Sequence, residues 1–219
     1  MHTKERKIIN SMSFVEYISN ISAKWLANKV PNDKYPNVED QIQIYEYGWM
    51  VIWGAILKIS LLVTISSLLG ILIPVMILTI TFSSFRIIAG GYHFSSYNKC
   101  LVFSLVQFIS TSLIIKYTLQ YWSFGCLWFL FNICVIIGIY NIHYYVPRDT
   151  PNKPITEIPE IKRFKKLSYQ YLAIWAVIMI MIISMFELKI IVLSSCFGLL
   201  LELFSISKFG QLIYSRIDS

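Results

Sequence analysis

The chain has 219 residues, of which 56% are hydrophobic and only 14% charged, with a formal net charge of +7 and a mean hydropathy of +0.61. Soluble domains carry about 25% charged residues, so this chain lacks the charge to cover a water-facing surface. The basic excess lies beside apolar runs, where anionic membrane lipid accounts for it, and no nucleic-acid partner is expected.

Residues 1–10 are charged and no apolar core follows them, so no secretory leader is expected there. Ser11–Val30 reads as an amphipathic helix. Met12, Phe14, Val15, Ile18, Ile21, Trp25 and Leu26 share one face, with Glu16, Asn20, Lys24 and Asn28 opposed. Such a helix suits the headgroup plane. Pro31 and Pro36 frame a polar turn, and Val38–Glu46 then leads helically into the first of six apolar runs. These runs, Tyr47–Leu72, Pro74–Ala89, Leu101–Tyr117, Phe124–Tyr140, Tyr169–Phe186 and Ile190–Ser207, approach the roughly 20 residues needed to cross a bilayer. The second is the shortest, so a tilted or re-entrant course is open to it. The fifth and sixth, parted only by Glu187-Leu188-Lys189, form a tight hairpin. The pattern predicts an all-α fold, a polytopic membrane helix bundle with an interfacial N-terminal helix. One integral membrane domain is expected over 1–219: four spans over 47–140, a basic loop over 146–168 and two spans over 169–207.

Basic residues set the orientation. Lys4, Arg6, Lys7, Lys24, Lys29 and Lys34 precede the first span, and Arg148, Lys153, Lys162, Arg163, Lys165 and Lys166 crowd the loop between spans four and five. Lys208 and Arg216 follow the last span, whereas the other side holds little beyond Lys116 and Lys189. The positive-inside rule puts both termini, the 146–168 loop and the turn over 90–100 in the cytoplasm.

That turn, Gly90-Gly91-Tyr92-His93-Phe94-Ser95-Ser96-Tyr97-Asn98-Lys99-Cys100, carries the chemistry. An imidazole beside a thiol is the minimum equipment of a thiol acyl-transfer enzyme: the ring takes the thiol proton and later gives it to the leaving amine. On one continuous helix, residues seven apart lie about 10.5 Å apart along the axis, too far for a hydrogen bond. The chain must therefore turn. Gly90 and Gly91 can end the second span, and Ser95 or Ser96 can cap the third, leaving Cys100 near its first turn. Backbone N–H groups there are candidate oxyanion donors. Cys126, Cys134 and Cys196 lie inside apolar runs and read as small hydrophobes. No disulfide framework and no close metal-ligand spacing is present, so neither metal nor cofactor is expected.

Arg86-Ile87-Ile88-Ala89-Gly90-Gly91-Tyr92-His93, with Cys100 seven residues on, resembles the signature of the accessory gene regulator protein B (AgrB) family, membrane cysteine endopeptidases that process quorum-sensing propeptides. Pro147–Ile155 and the basic run after it resemble the family's cytoplasmic loop more weakly. The resemblance implies that His93 and Cys100 are the catalytic pair, that Arg86, Gly90 and Gly91 support them, that the partner is an AgrD-type propeptide, and that the enzyme is a homodimer. It further implies a cell-membrane thiol protease that cuts the C-terminal tail and closes a thiolactone or lactone. Lys162, Arg163, Lys165 and Lys166 are placed to attract an acidic peptide tail or simply to set topology.

Other polar residues have plainer readings. Glu39, Asp40, Gln41, Gln43 and Glu46 look like a solvated helix start. His143 sits in an aromatic run typical of the membrane interface. Lys58, mid-span, has Glu202 as its candidate partner. The alternative function is a small membrane peptide or solute transporter, with Lys58 and Glu202 along its path and Cys100 incidental.

Overall fold

The computed structural model describes residues 14–30, 37–148, 157–185 and 188–218. Their secondary structure is helical, with no strand among the described residues. In chain order the helices are α1 (Phe14–Lys29), α2 (Val38–Leu68), α3 (Leu72–Ala89), α4 (Tyr97–Thr118), α5 (Phe124–Tyr145), α6 (Ile158–Met185), α7 (Lys189–Ile206) and α8 (Lys208–Asp218), with a 3-10 turn at Leu119–Tyr121. Six of these segments, α2 to α7, are long and apolar enough to cross a membrane. This is a multi-pass membrane protein.

Two compact units divide the chain, residues 1–62 and 63–219. In the first, α1 turns a stripe of Val15, Ser19, Ala23 and Ala27 inward. Phe14, Ile21 and Trp25 are exposed on its other side, so Val15 does not share their face as the sequence reading expected. The inward stripe is built of small residues, and the exposed apolar trio suits an interfacial helix. Met12 lies outside the described residues. Asn20 donates to Glu46 at 3.0 Å and Gln41 donates to the Val30 carbonyl at 2.9 Å. These two polar residues of the α2 start thus have structural partners within the unit.

In the second unit α7 is the most enclosed helix, buried along most of its length and packed chiefly on α3 and α5. Small polar residues knit it in: the Thr81 and Ser195 hydroxyls lie 3.1 Å apart, and Trp175 Nε1 donates to Ser195 at 2.8 Å. Buried hydroxyls in an apolar bundle need such partners. The short second span is one continuous helix; its 18 residues rise about 27 Å, close to the hydrocarbon thickness.

Two elements differ from the sequence reading. The residues 158–168, expected in a loop, form the first turns of α6: Ile161, Phe164, Ser168 and Leu172 keep a helical spacing that buries Ser168 and Leu172. A further helix, α8, follows the last span with only Ser207 between.

Candidate active site between the third and fourth helices

The glycine pair solves a packing problem on each side of the turn. Gly90 ends α3 at φ +81°, a left-handed conformation that only glycine adopts cheaply. Its backbone lies against Arg148, whose N–H donates to the Ala89 carbonyl at 2.8 Å. A Cβ on Gly90 would sit 1.9 Å from the Arg148 carbonyl oxygen. Gly91 is buried over a charged pair: a Cβ there would fall 2.2 Å from Arg86 Nη1 and 2.8 Å from Glu202 Oε1.

That pair explains Arg86. Its Nη1 lies 3.2 Å from Glu202 Oε2, a carboxylate with 0% side-chain exposure, and donates to Ser205 Oγ at 3.1 Å. Its Nη2 donates to the Tyr92 carbonyl. The Tyr92 N–H donates in turn to Ser205 Oγ at 3.2 Å. Both backbone polar groups of the residue before His93 are therefore held by Arg86 and α7. Glu202, expected opposite Lys58, pairs with Arg86. Its second oxygen is buried and has no hydrogen-bond partner among the described residues, so Arg86 is the cation that compensates the carboxylate there.

His93 is exposed and Cys100 partly buried. Ser96 caps α4, its Oγ accepting from the Lys99 N–H at 3.3 Å, and the Cys100 N–H donates to the Ser96 carbonyl at 3.2 Å. Cys100 thus lies in the first turn of α4, as the sequence predicts. Those two amides are already engaged, so an oxyanion must draw on other donors. Partial desolvation, and then the nearby Arg86 charge, hold the His93 pKa below its ordinary value of 6.5. The ring is neutral at physiological pH, the form that accepts a proton.

Sequence reasoning missed the other side of the turn. The Asp218 carboxylate at the end of α8 accepts from the Ser95 N–H at 2.8 Å, the Ser95 hydroxyl at 2.7 Å and the Tyr92 hydroxyl at 3.1 Å. Lys99 Nζ lies 3.5 Å from it and also donates to the Asp218 backbone carbonyl. The Ser95 hydroxyl foremost, and the Ser95 N–H, Tyr92 and Lys99 with it, hold the Asp218 pKa below 3.8. One turn earlier, Tyr214 enters an aromatic cluster, with ring centroids 4.9 Å from Phe103, 5.6 Å from Tyr92 and Phe204 and 6.0 Å from Phe94. The signal was present in Phe209, Leu212, Ile213 and Ile217, apolar positions at helical spacing among Lys208, Gln211, Ser215 and Arg216.

The basic run lies on the surface of α6. Lys162, Arg163 and Lys166 are exposed on α6, and Lys165 donates to the His143 carbonyl at 2.7 Å. His143 is exposed beside Tyr144, ring centroids 4.7 Å apart, next to Tyr140 and Tyr145. That setting suits an interfacial belt. No group of three or more metal-ligating side chains occurs among the described residues.

The family model for accessory gene regulator B matches residues 19–206. Two curated proteins of Clostridium perfringens are similar over 92% of this chain and 97% of their own: AgrB-like protein 2 of strain 13, 27% identical, and the AgrB-like protein of strain SM101, 26% identical. No solved structure gives a significant match. With the matched span covering the turn, its Arg86 anchor and all six candidate spans, the chain belongs to the accessory gene regulator B family.

Proposed function

We propose that this protein is a membrane-embedded cysteine endopeptidase of the accessory gene regulator system, acting on an AgrD-type propeptide with His93 as base and acid and Cys100 as nucleophile. The observation that supports it most is the construction of the turn. Arg86, Glu202 and Ser205 fix the backbone immediately before His93, while Ser96 fixes the start of the helix that carries Cys100. A rigid frame around two otherwise ordinary side chains is what positioned acyl-transfer chemistry requires.

The Cys100 sulfur attacks the carbonyl of the scissile peptide bond and its proton passes to His93. The C–N bond breaks, His93 protonates the leaving amine, and the C-terminal tail departs. A thioester joins the remaining peptide to Cys100. A thiol or hydroxyl of that peptide then attacks the thioester, delivers its proton through His93 to the departing Cys100 sulfur, and closes a thiolactone or lactone. Exclusion of water at the membrane boundary favours ring closure over hydrolysis. The same reading puts both termini and the 90–100 turn on the cytoplasmic side, exposes Lys162, Arg163 and Lys166 to an acidic tail or anionic headgroups, and pairs the chain with a second copy.

The transporter alternative loses one of its two path residues, because Glu202 is fully buried against Arg86 and offers no face to a solute. Replacing Cys100 by Ala separates the two. Processing of a propeptide co-expressed with the protein should cease while the protein remains in the membrane; processing that continues would refute the proposal.

A further inference from the structure

An acidic residue at the C-terminal end of a helix faces the negative end of the helix dipole and weakens its own helix. Asp218 ends α8 in that unfavourable place. What it gains lies outside α8. It accepts from the Ser95 N–H just before the Ser96 cap, so it sits at the positive end of α4, and it gathers two hydroxyls and an ammonium there. All of these donors belong to residues 92–99, the stretch between the Gly90-Gly91 turn and Cys100. Tyr214, on the same helix, packs against Tyr92, Phe94 and Phe103 from the same stretch and its helix. Arg86 and α7 hold Tyr92 through its backbone; α8 holds it through its hydroxyl and its ring. The segment bearing the imidazole is thus clamped from two sides, by α7 within the span matched by the family model and by α8 beyond it.

We infer that Asp218 is a positioning residue for the His93–Cys100 pair, and that α8 serves as the outer jaw of a clamp on the catalytic turn. The inference rests on the proposed thiol–imidazole chemistry and adds the group that sets the turn's conformation. Asp218 touches no reacting atom. It acts by fixing Tyr92, the residue before His93, and Ser95, two residues after it, while Lys99 ties the clamp to the position before Cys100. The role needs an acceptor-only side chain, because three donors and an ammonium converge on two oxygens. An amide supplies one oxygen and turns an N–H₂ toward donors.

The test uses the full-length protein in lipid nanodiscs and compares wild type, Asp218→Asn, Asp218→Glu and His93→Ala. Two quantities are read: hydrogen exchange of the peptide covering residues 92–99, and the iodoacetamide alkylation rate at Cys100, resolved from the other cysteines by mass spectrometry. Asp218→Asn should speed exchange in this segment by about tenfold, as expected when a charge-assisted hydrogen bond is lost, and lower Cys100 alkylation to the level of His93→Ala. Asp218→Glu, which keeps both acceptor oxygens, should restore both. Unchanged exchange in Asp218→Asn, faster exchange with wild-type alkylation, or a Glu variant indistinguishable from the Asn variant would each overturn the inference. If wild type and His93→Ala alkylate equally fast, the thiol–imidazole reading fails instead, and the exchange comparison alone decides whether Asp218 holds the turn.

Discussion

Gly91→Ala tests the inner jaw of the clamp with one methyl group. The new carbon would lie 2.2 Å from Arg86 Nη1 and 2.9 Å from Arg86 Cζ, with Glu202 Oε1 at 2.8 Å. The far end of a free arginine would swing away at little cost. Here the guanidinium is committed to Glu202, Ser205 and the Tyr92 carbonyl, and hydrogen bonds to charged groups contribute about 1.5–3 kcal/mol each. Moving Arg86 enough to admit the methyl forfeits at least one and lifts Tyr92 off α7. A cost of about 2–4 kcal/mol follows once overpacking is included, together with roughly a 10²-fold loss of processing from a displacement near 1 Å at the reacting groups. Gly90→Ala should be worse, because its methyl meets backbone at Arg148 and must adopt φ +81°. The assay is propeptide cleavage in proteoliposomes, read beside thermal unfolding in the same lipid. Full activity and stability in Gly91→Ala would refute the cradle. A Gly90→Ala protein milder than Gly91→Ala would refute the backbone contact with Arg148.

The Arg86–Glu202 pair should behave as a coupled unit. Arg86→Gln strands a buried carboxylate at a cost of about 3–5 kcal/mol, and adding Glu202→Gln should recover part of that stability in thermal unfolding; strict additivity of the two would argue against coupling. The acid limb of processing should have its midpoint below 6.5, since the folded protein disfavours the imidazolium. Stability linked to this ring is present above the unfolded pKa and lost as pH falls through the lower folded value. In the Arg86→Gln, Glu202→Gln double variant the midpoint should rise yet stay under 6.5, because desolvation, the larger cause, remains; a pH–rate profile measures both. Tyr214→Ala should cost about 3–5 kcal/mol through loss of the aromatic cluster, whereas Tyr214→Phe forfeits only the 3.2 Å bond from Gln107, about 1 kcal/mol; equal losses would remove the packing role. Neutralising Lys162, Arg163 and Lys166 should weaken binding to vesicles rich in anionic lipid and flatten its salt dependence, and unchanged, salt-independent binding would show that these charges have no such role.

What the sequence revealed follows from which interactions are local. Spans are legible because bilayer thickness imposes a length on apolar runs, and each of the six runs overlaps one of the helices α2 to α7. A serine cap, read as Ser95 or Ser96 and found at Ser96, and Cys100 in the first turn of α4 follow from short-range chemistry. The start of α6 was less visible: the helix extends through polar residues, Ile158–Ser168, that carry no span signal, whereas the polar lead-in Val38–Glu46 of α2 was legible. Arg86 and Glu202 were both singled out, but Glu202 was set opposite Lys58, because 116 residues separate it from Arg86 and only packing of α3 on α7 brings the two together. The glycine pair read as a helix stop; the Arg148 backbone and the buried charges that demand the absence of a Cβ are long-range facts. Asp218 was missed for the same reason: 123 residues separate it from Ser95.

The central claim is that Cys100 carries the peptide during cleavage. Incubating the protein in proteoliposomes with candidate AgrD-type propeptides, quenching in acid and mapping the products by mass spectrometry reads this directly. A thioester adduct of the propeptide's N-terminal portion on Cys100, absent in Cys100→Ala and greatly reduced in His93→Ala, is the expected result. An adduct on Cys126, or tail release by Cys100→Ala at the wild-type rate, would contradict it.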